Sequence, residues 1–118
     1  MYVGNDIVSI EKLERIYKSK SKKFLSRIYN VNEINYCLKR YEPTVHLAGK
    51  FAAKEAVRKA ISSSFKGTYI SMKDINICNK ENGSPYVKIE KLNLDYNVQI
   101  SISHTNKYAI AIAINNIH

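Results

Sequence analysis

Apolar and polar positions along the chain fall into two regimes. Residues 2–8 read as a short strand, Ser9 is placed to cap a helix running to about residue 17, and a break is expected at residues 19–21. Asn30, with Glu33 three positions on, has the form of a capping box and opens a second helix to about residue 40, a region that Pro43 ends. The stretch 44–61 is the longest helical segment, rich in alanine and free of glycine after Gly49. Ser62, Ser63, Ser64 and Gly67 predict a loop beyond it. The period then changes: residues 74–78, 86–89, 98–104 and 108–114 are strand-like, separated by Glu81-Asn82-Gly83-Ser84-Pro85, a polar stretch, and Thr105-Asn106-Lys107. Short links predict antiparallel pairing, and one strand, then helices, then a meander is an α+β order. No repeat or linker interrupts the 118 residues, which fit one domain, 1–118.

Composition narrows the class. The chain is 45% hydrophobic and 25% charged, as expected of a chain that folds around a core. Its longest apolar run, residues 108–114, falls far short of the roughly 20 residues that cross a bilayer. Asp6 and Glu11 interrupt the N-terminal apolar stretch before a signal-peptide core could form, so a cytoplasmic location with no membrane partner is expected. Cys37 and Cys78 lie far apart without a C-x-x-C pair and are expected to be reduced. Loops of the G-x-x-x-x-G-K-[ST] and G-x-G-x-x-G kinds are absent, as are H-E-x-x-H and G-x-S-x-G.

The long helix carries the first chemical signal. At 100° per residue Leu47, Ala48, Phe51 and Ala52 define an apolar arc with Glu55 in its middle and Lys59 beside it. A carboxylate on a buried face needs a cation, because left unpaired it costs several kcal/mol. Lys59 at i+4 could supply it as a simple ion pair; a metal or catalytic role is the alternative. Lys50, Lys54 and Arg58 follow one another at intervals of four on a neighbouring line, where their repulsion points to a solvated face or to an anion laid along it. Asp6, at the end of the first strand, is either a turn residue or a second hard oxygen ligand of the kind Mg²⁺ takes. His104 is either a strand-end residue or a participant in chemistry, whereas His46 and His118 have no comparable context.

Charge adds a partner. The net charge is +9, and residues 1–60 hold thirteen basic against six acidic side chains. Lys12, Arg15, Lys18, Lys20, Lys22, Lys23 and Arg27, opposed only by Glu14 and interleaved with Ile16, Tyr17, Phe24, Leu25 and Ile28, form either a solvated helical face or a basic surface with an apolar anchor.

Four islands bring these residues together. Gly4-Asn5-Asp6-Ile7-Val8, Leu47-Ala48-Gly49-Lys50-Phe51-Ala52-Ala53-Lys54-Glu55-Ala56 with Lys59-Ala60, Asn82-Gly83-Ser84-Pro85-Tyr86, and Ser101-Ile102-Ser103-His104-Thr105 with Tyr108-Ala109 occur in that order and span nearly the whole chain. In this the sequence resembles the holo-acyl-carrier-protein synthases, the small type of 4′-phosphopantetheinyl transferase. The resemblance implies transfer of phosphopantetheine from coenzyme A to a serine of apo acyl carrier protein, releasing adenosine 3′,5′-bisphosphate and serving fatty acid biosynthesis. It implies that Asp6 and Glu55 hold Mg²⁺ on the pyrophosphate and that Lys59 neutralises the reacting phosphate. Lys50, Lys54 and His104 with Thr105 become candidates for the remaining phosphates and the nucleotide end, and Gly83-Ser84-Pro85 for the turn over the adenosine. It gives the basic surface, with Lys12, Arg15, Lys22, Lys23 and Arg27, a reading as the docking site of an acidic carrier protein, with Tyr17, Phe24 or Leu25 as its apolar contact. It also implies a homotrimer with active sites between subunits. The rival from another class is a basic, non-enzymatic nucleic-acid-binding domain, for which the charge and nine tyrosines speak but which has no use for Glu55 in an apolar arc.

Overall fold

Gly4 sets how closely the first two layers meet. It lies on β1 (Tyr2–Ser9), which packs across the long helix α3 (Pro43–Ser64), and a Cβ built there would stand 2.0 Å from the Ala56 carbonyl oxygen and 2.8 Å from the Ala60 nitrogen. Strand backbone and helix backbone touch with no side chain between them. The computed structural model describes every residue except Lys91, Leu94 and His118, so part of the polar stretch after residue 89 lies outside the described residues, as does His118.

A three-stranded antiparallel sheet holds β1 in place. Its order is β1, β5 (Tyr108–Asn115), β4 (Val98–His104), with Gly4 opposite Ala113, Asp6 opposite Ala111 and Ser103 opposite Ile110. The alternation in β5 is used on both sides: Ala109, Ala111 and Ala113 are buried toward α3, while Tyr108, Ile110 and Ile112 stand on the outer, exposed face with Val3 and Ile7 of β1. β2 (Ile75–Asn79) and β3 (Pro85–Ile89) pair with each other in a separate two-stranded sheet. The expected meander is therefore split between two sheets.

The helices depart from expectation at their ends. Ser9 caps α1 (Ile10–Ile28), its Oγ accepting from the Lys12 nitrogen at 3.2 Å. The break expected at residues 19–21 is a kink at Lys20 (φ −132°, ψ 25°), after which the helix resumes to Ile28. Leu25 is buried and Phe24 and Ile28 pack on the same core, so tertiary burial sustains a turn that local propensity would end. α2 (Val31–Leu38) stops short of residue 40. Pro43 both closes that region and opens α3 at its first turn, where a missing N–H costs little. The three serines expected in a loop are helical: Ser64 Oγ donates to the Ala60 carbonyl at 2.7 Å and accepts from Asn115 Nδ2 at 2.9 Å, tying the last turn to β5.

A buried ion pair joins three elements. Glu33, the acidic member of the capping box, accepts from the Asn30 nitrogen at 2.7 Å, from the Ile77 nitrogen at 2.8 Å and from Lys54 Nζ at 2.7 Å, and both side chains of the pair are fully buried. Lys54 Nζ also donates to the carbonyls of Met72 and Ile75, at 2.9 and 2.6 Å. Burial lowers the Lys54 pKa, and Glu33 opposes that shift. Such a pair is tolerated because all three Lys54 protons and both Glu33 oxygens find partners.

Candidate active site

Gly4, Asp6 and Val8 occupy alternate positions of β1 and so share its inner face, with Asp6 carried to the side of α3 where Phe51 and Glu55 emerge. Asp6 and Glu55 line one cavity of about 520 Å³, together with Val8, Lys12, Ile16, Phe24 and Phe51. Two carboxylates far apart in sequence thus face the same space, each about four-fifths buried.

Their cations are not the pair expected. Arg58, at i+3 from Glu55, places a single nitrogen, Nη2, 2.8 Å from both carboxylate oxygens. Lys59 instead reaches across to β1, donating to the Asn5 carbonyl at 2.8 Å and to Asp6 Oδ1 at 3.3 Å, with about half its side chain exposed. The Glu55–Lys59 ion pair is therefore replaced by two separate pairs, because Asp6 approaches Lys59 from the neighbouring layer. Glu55 also lines a second cavity, of about 410 Å³, with Arg58, Lys59, Ser62, Ser63 and Tyr69.

The repulsion along the line of Lys50, Lys54 and Arg58 is relieved by partners within the protein. Arg58 is on Glu55 and Lys54 on Glu33, and Lys54 is fully buried among the described residues, so its expected phosphate contact is corrected to a structural one. Lys50 donates to the Ile77 carbonyl at 2.7 Å and to Asn79 Oδ1 at 2.5 Å, and its ammonium lies 4.6 Å from the centre of the Tyr36 ring. Burial lowers its pKa. Unlike Lys54, Lys50 still borders open space: it lines a cavity of about 210 Å³ with Tyr36, His46, Gly83, Pro85 and His104. Asn79 relays Lys50 to the β2–β3 turn through a 2.9 Å bond from Nδ2 to the Gly83 carbonyl, and Gly83 takes φ +91°, which favours glycine. Ser84 and Thr105 act within turns and are absent from that lining: Ser84 Oγ donates to Asn82 Oδ1 at 2.7 Å, and Thr105 Oγ1 accepts from the Lys107 and Tyr108 nitrogens, each at 3.1 Å.

The basic residues of α1 border the carboxylate cavity. Lys18, Lys20, Lys22, Lys23 and Arg27 line a groove of about 800 Å³ at the kink, and Ile16 and Phe24 line both this groove and the cavity holding Asp6 and Glu55. Lys12 belongs to the carboxylate cavity, and Arg15 is exposed. Of the apolar contacts expected here, Phe24 faces the groove, whereas Leu25 is buried in the core and Tyr17 packs against it.

Three residues were missed. His46 lies one turn before Lys50, a spacing that points both side chains the same way, and its pKa is lowered by burial and by the charges of Arg40, His104 and Lys50. Tyr36 is the ring on which Arg40 and Lys50 converge, at 4.0 and 4.6 Å, and Arg58 was read only as one of a row of like charges. Only the i+3 spacing of Glu55 and Arg58 was available in the sequence to reveal that pair.

Residues 2–113 match the family model described as the 4′-phosphopantetheinyl transferase superfamily. The chain is 45% identical over 116 residues to the holo-[acyl-carrier-protein] synthase of Protochlamydia amoebophila, covering 95% of this chain and 94% of that protein. Its fold is similar to the crystal structure of a holo-(acyl-carrier-protein) synthase from Bacillus anthracis in complex with CoA (3′,5′-ADP), with TM-score 0.79, 31% identity and coverage of 97% and 94%. It is likewise similar to the Helicobacter pylori holo-[acyl-carrier-protein] synthase in complex with coenzyme A, with TM-score 0.80, 30% identity and coverage of 97% and 99%. A strand that carries one carboxylate onto a helix that carries another, beside a basic flank, is thus set in a chain that belongs to the 4′-phosphopantetheinyl transferase superfamily, as an enzyme of the holo-[acyl-carrier-protein] synthase kind.

Proposed function

We propose that the cavity between β1 and α3 is where this chain, as a single transferase domain of residues 1–118, carries out its family's reaction. The enzyme transfers 4′-phosphopantetheine from coenzyme A to a serine of apo acyl carrier protein, with adenosine 3′,5′-bisphosphate as the other product. The observation that carries the assignment is the meeting of Asp6 and Glu55 on one cavity. Their donor set, two hard carboxylates with room for phosphate oxygens, fits Mg²⁺. When bound, that ion polarises the diphosphate and offsets its charge.

The chain's own groups do the rest. β1 and α3, in backbone contact at Gly4, fix the two carboxylates relative to each other. Lys59, paired with Asp6 and lining the adjoining cavity that Glu55 also borders, takes the charge of the transferred phosphate. Lys50 with Gly83, Pro85 and His104 forms the side that receives the nucleotide. The groove of Lys22, Lys23 and Arg27, with Lys12 and Arg15 nearby, steers an acidic carrier toward Ile16 and Phe24, so that its serine enters the adjoining cavity.

The carboxylate cavity and the Lys50–His104 cavity share no lining residue, which favours a complete site assembled between subunits. The outer sheet face of Val3, Ile7, Tyr108, Ile110 and Ile112 is the apolar surface on which a homotrimer would close. Among the described residues no helix is long and apolar enough to cross a membrane, and the reaction's soluble substrates suit a cytoplasmic site. The decisive experiment mixes the protein with apo acyl carrier protein, coenzyme A and Mg²⁺ and weighs the carrier by mass spectrometry. Wild type adds one phosphopantetheine, and Glu55→Gln adds none while keeping its circular dichroism spectrum. An active Glu55→Gln would remove Glu55 from the metal site.

A further inference from the structure

We infer that Arg58 is a resident counter-ion of Glu55 that gives up its place to the divalent cation and passes to the diphosphate of coenzyme A. The inference rests on the metal reading above and adds a positioning role for a residue that reading leaves unused. Its ground is an unusual contact. One nitrogen, Arg58 Nη2, sits 2.8 Å from Glu55 Oε1 and 2.8 Å from Oε2, the straddling position that a chelated cation takes on a carboxylate. Guanidinium and metal therefore compete for the same lone pairs.

The surroundings separate Arg58 from its neighbours on the helix. Lys50 and Lys54 donate to buried carbonyls and side chains and cannot leave without orphaning them. Arg58 is a third exposed, Glu55 is its only hydrogen-bond partner among the described residues, and the rest of its five-donor fork is unused by protein. An i,i+3 pair of that exposure is weak, so a dication displaces it readily. Released, the guanidinium stays on the wall it shares with Lys59, Ser62 and Ser63, beside Glu55 and thus beside any ion that Glu55 holds. A planar fork there suits a diphosphate, which accepts paired N–H donors. The exchange also keeps charge matched: Glu55 is never bare before the metal arrives, and Arg58 is never without an anion once the substrate follows.

Two titrations test the exchange on the full-length protein. Calorimetric titration with Mg²⁺ alone is expected to show binding tightened roughly two- to fivefold in Arg58→Ala, by loss of the competitor. Arg58→Lys, which keeps the charge but not the planar guanidinium that holds Nη2 between the two oxygens, should tighten it in part. With Mg²⁺ saturating, coenzyme A should bind about tenfold more weakly to Arg58→Ala, the effect of losing a charge-assisted bond. Unchanged or weaker Mg²⁺ binding by Arg58→Ala overturns the inference, as does unchanged coenzyme A affinity. Tightening in Arg58→Ala with Arg58→Lys equal to wild type also overturns it, reducing the effect to the local field. If wild type itself takes up no Mg²⁺, the metal reading fails instead and carries this exchange with it.

Discussion

Replacing Gly4 by alanine tests the contact on which the site's geometry depends. The backbone at Gly4 does not require glycine; only space does, since the new Cβ would fall 2.0 Å from the Ala56 oxygen and 2.8 Å from the Ala60 nitrogen. Both obstacles are helix backbone, which cannot swing aside as a side chain would. β1 must therefore withdraw from α3 by at least about 1 Å, a displacement that overpacked cores resist at a cost of about 1–3 kcal/mol. Asp6, two residues along the same strand face, moves with it while Glu55 stays on the helix. A misplacement of about 1 Å between reacting groups costs about 100-fold in rate. Urea denaturation at fixed protein concentration, followed by circular dichroism, should register the stability loss, and the initial rate of carrier modification the catalytic one. Gly67→Ala is the control: at φ +84° with open space around it, it should lose stability through backbone strain and keep its rate. A Gly4→Ala protein with wild-type stability and rate would refute the claim that this close approach places Asp6.

Other outcomes follow from the same structure. Lys54→Met leaves Glu33 buried without its cation and should destabilise by about 3–5 kcal/mol in urea titration, with Glu33→Gln/Lys54→Met recovering part of the loss. Burial pushes the Cys37 thiol up to about 12 from 9.0; because the folded value is the higher one, its contribution is fully present below pH 9 and is lost as pH rises toward 12. Cys37→Ala should therefore flatten the alkaline limb of a stability–pH curve, and an unchanged limb would assign it to other groups. Reversing Lys22, Lys23 and Arg27 to Glu should lower kcat/KM for the carrier at least about tenfold, remove most of its salt dependence, and leave Mg²⁺ affinity unchanged.

Periodicity located the five strands and the three α-helices, though not the short 3-10 turn Met72–Asp74 or the second half of α1, because the main buried faces are written at their own repeat: alanines at every second position of β5, and Leu47, Ala48 and Ala52 on α3. The ends were less legible. Ser62, Ser63 and Ser64 carry loop chemistry but are held in helix by Ala60 and Asn115, the latter fifty-one residues from its partner Ser64, and no local window contains that bond. The site divided in the same way. Glu55 announced itself by lying in an apolar arc, and Asp6 came with the resemblance of its motif. Lys54 gave no sign of its burial, since its partner Glu33 looked fully employed as a helix cap. Pairings across layers, Lys59 with Asp6 above all, depend on how β1 crosses α3, and the sequence near Lys59 offers only Glu55.

The two-sided packing of β5 has a consequence for assembly of the fold itself. Shifting this strand by a single residue against β1 or β4 would turn isoleucine toward the helix, into a layer spaced for Gly4 and for alanine, too thin to take it. Misaligned pairing is thus rejected by steric exclusion alone, and the central strand acts as a gauge that admits one alignment of its neighbours.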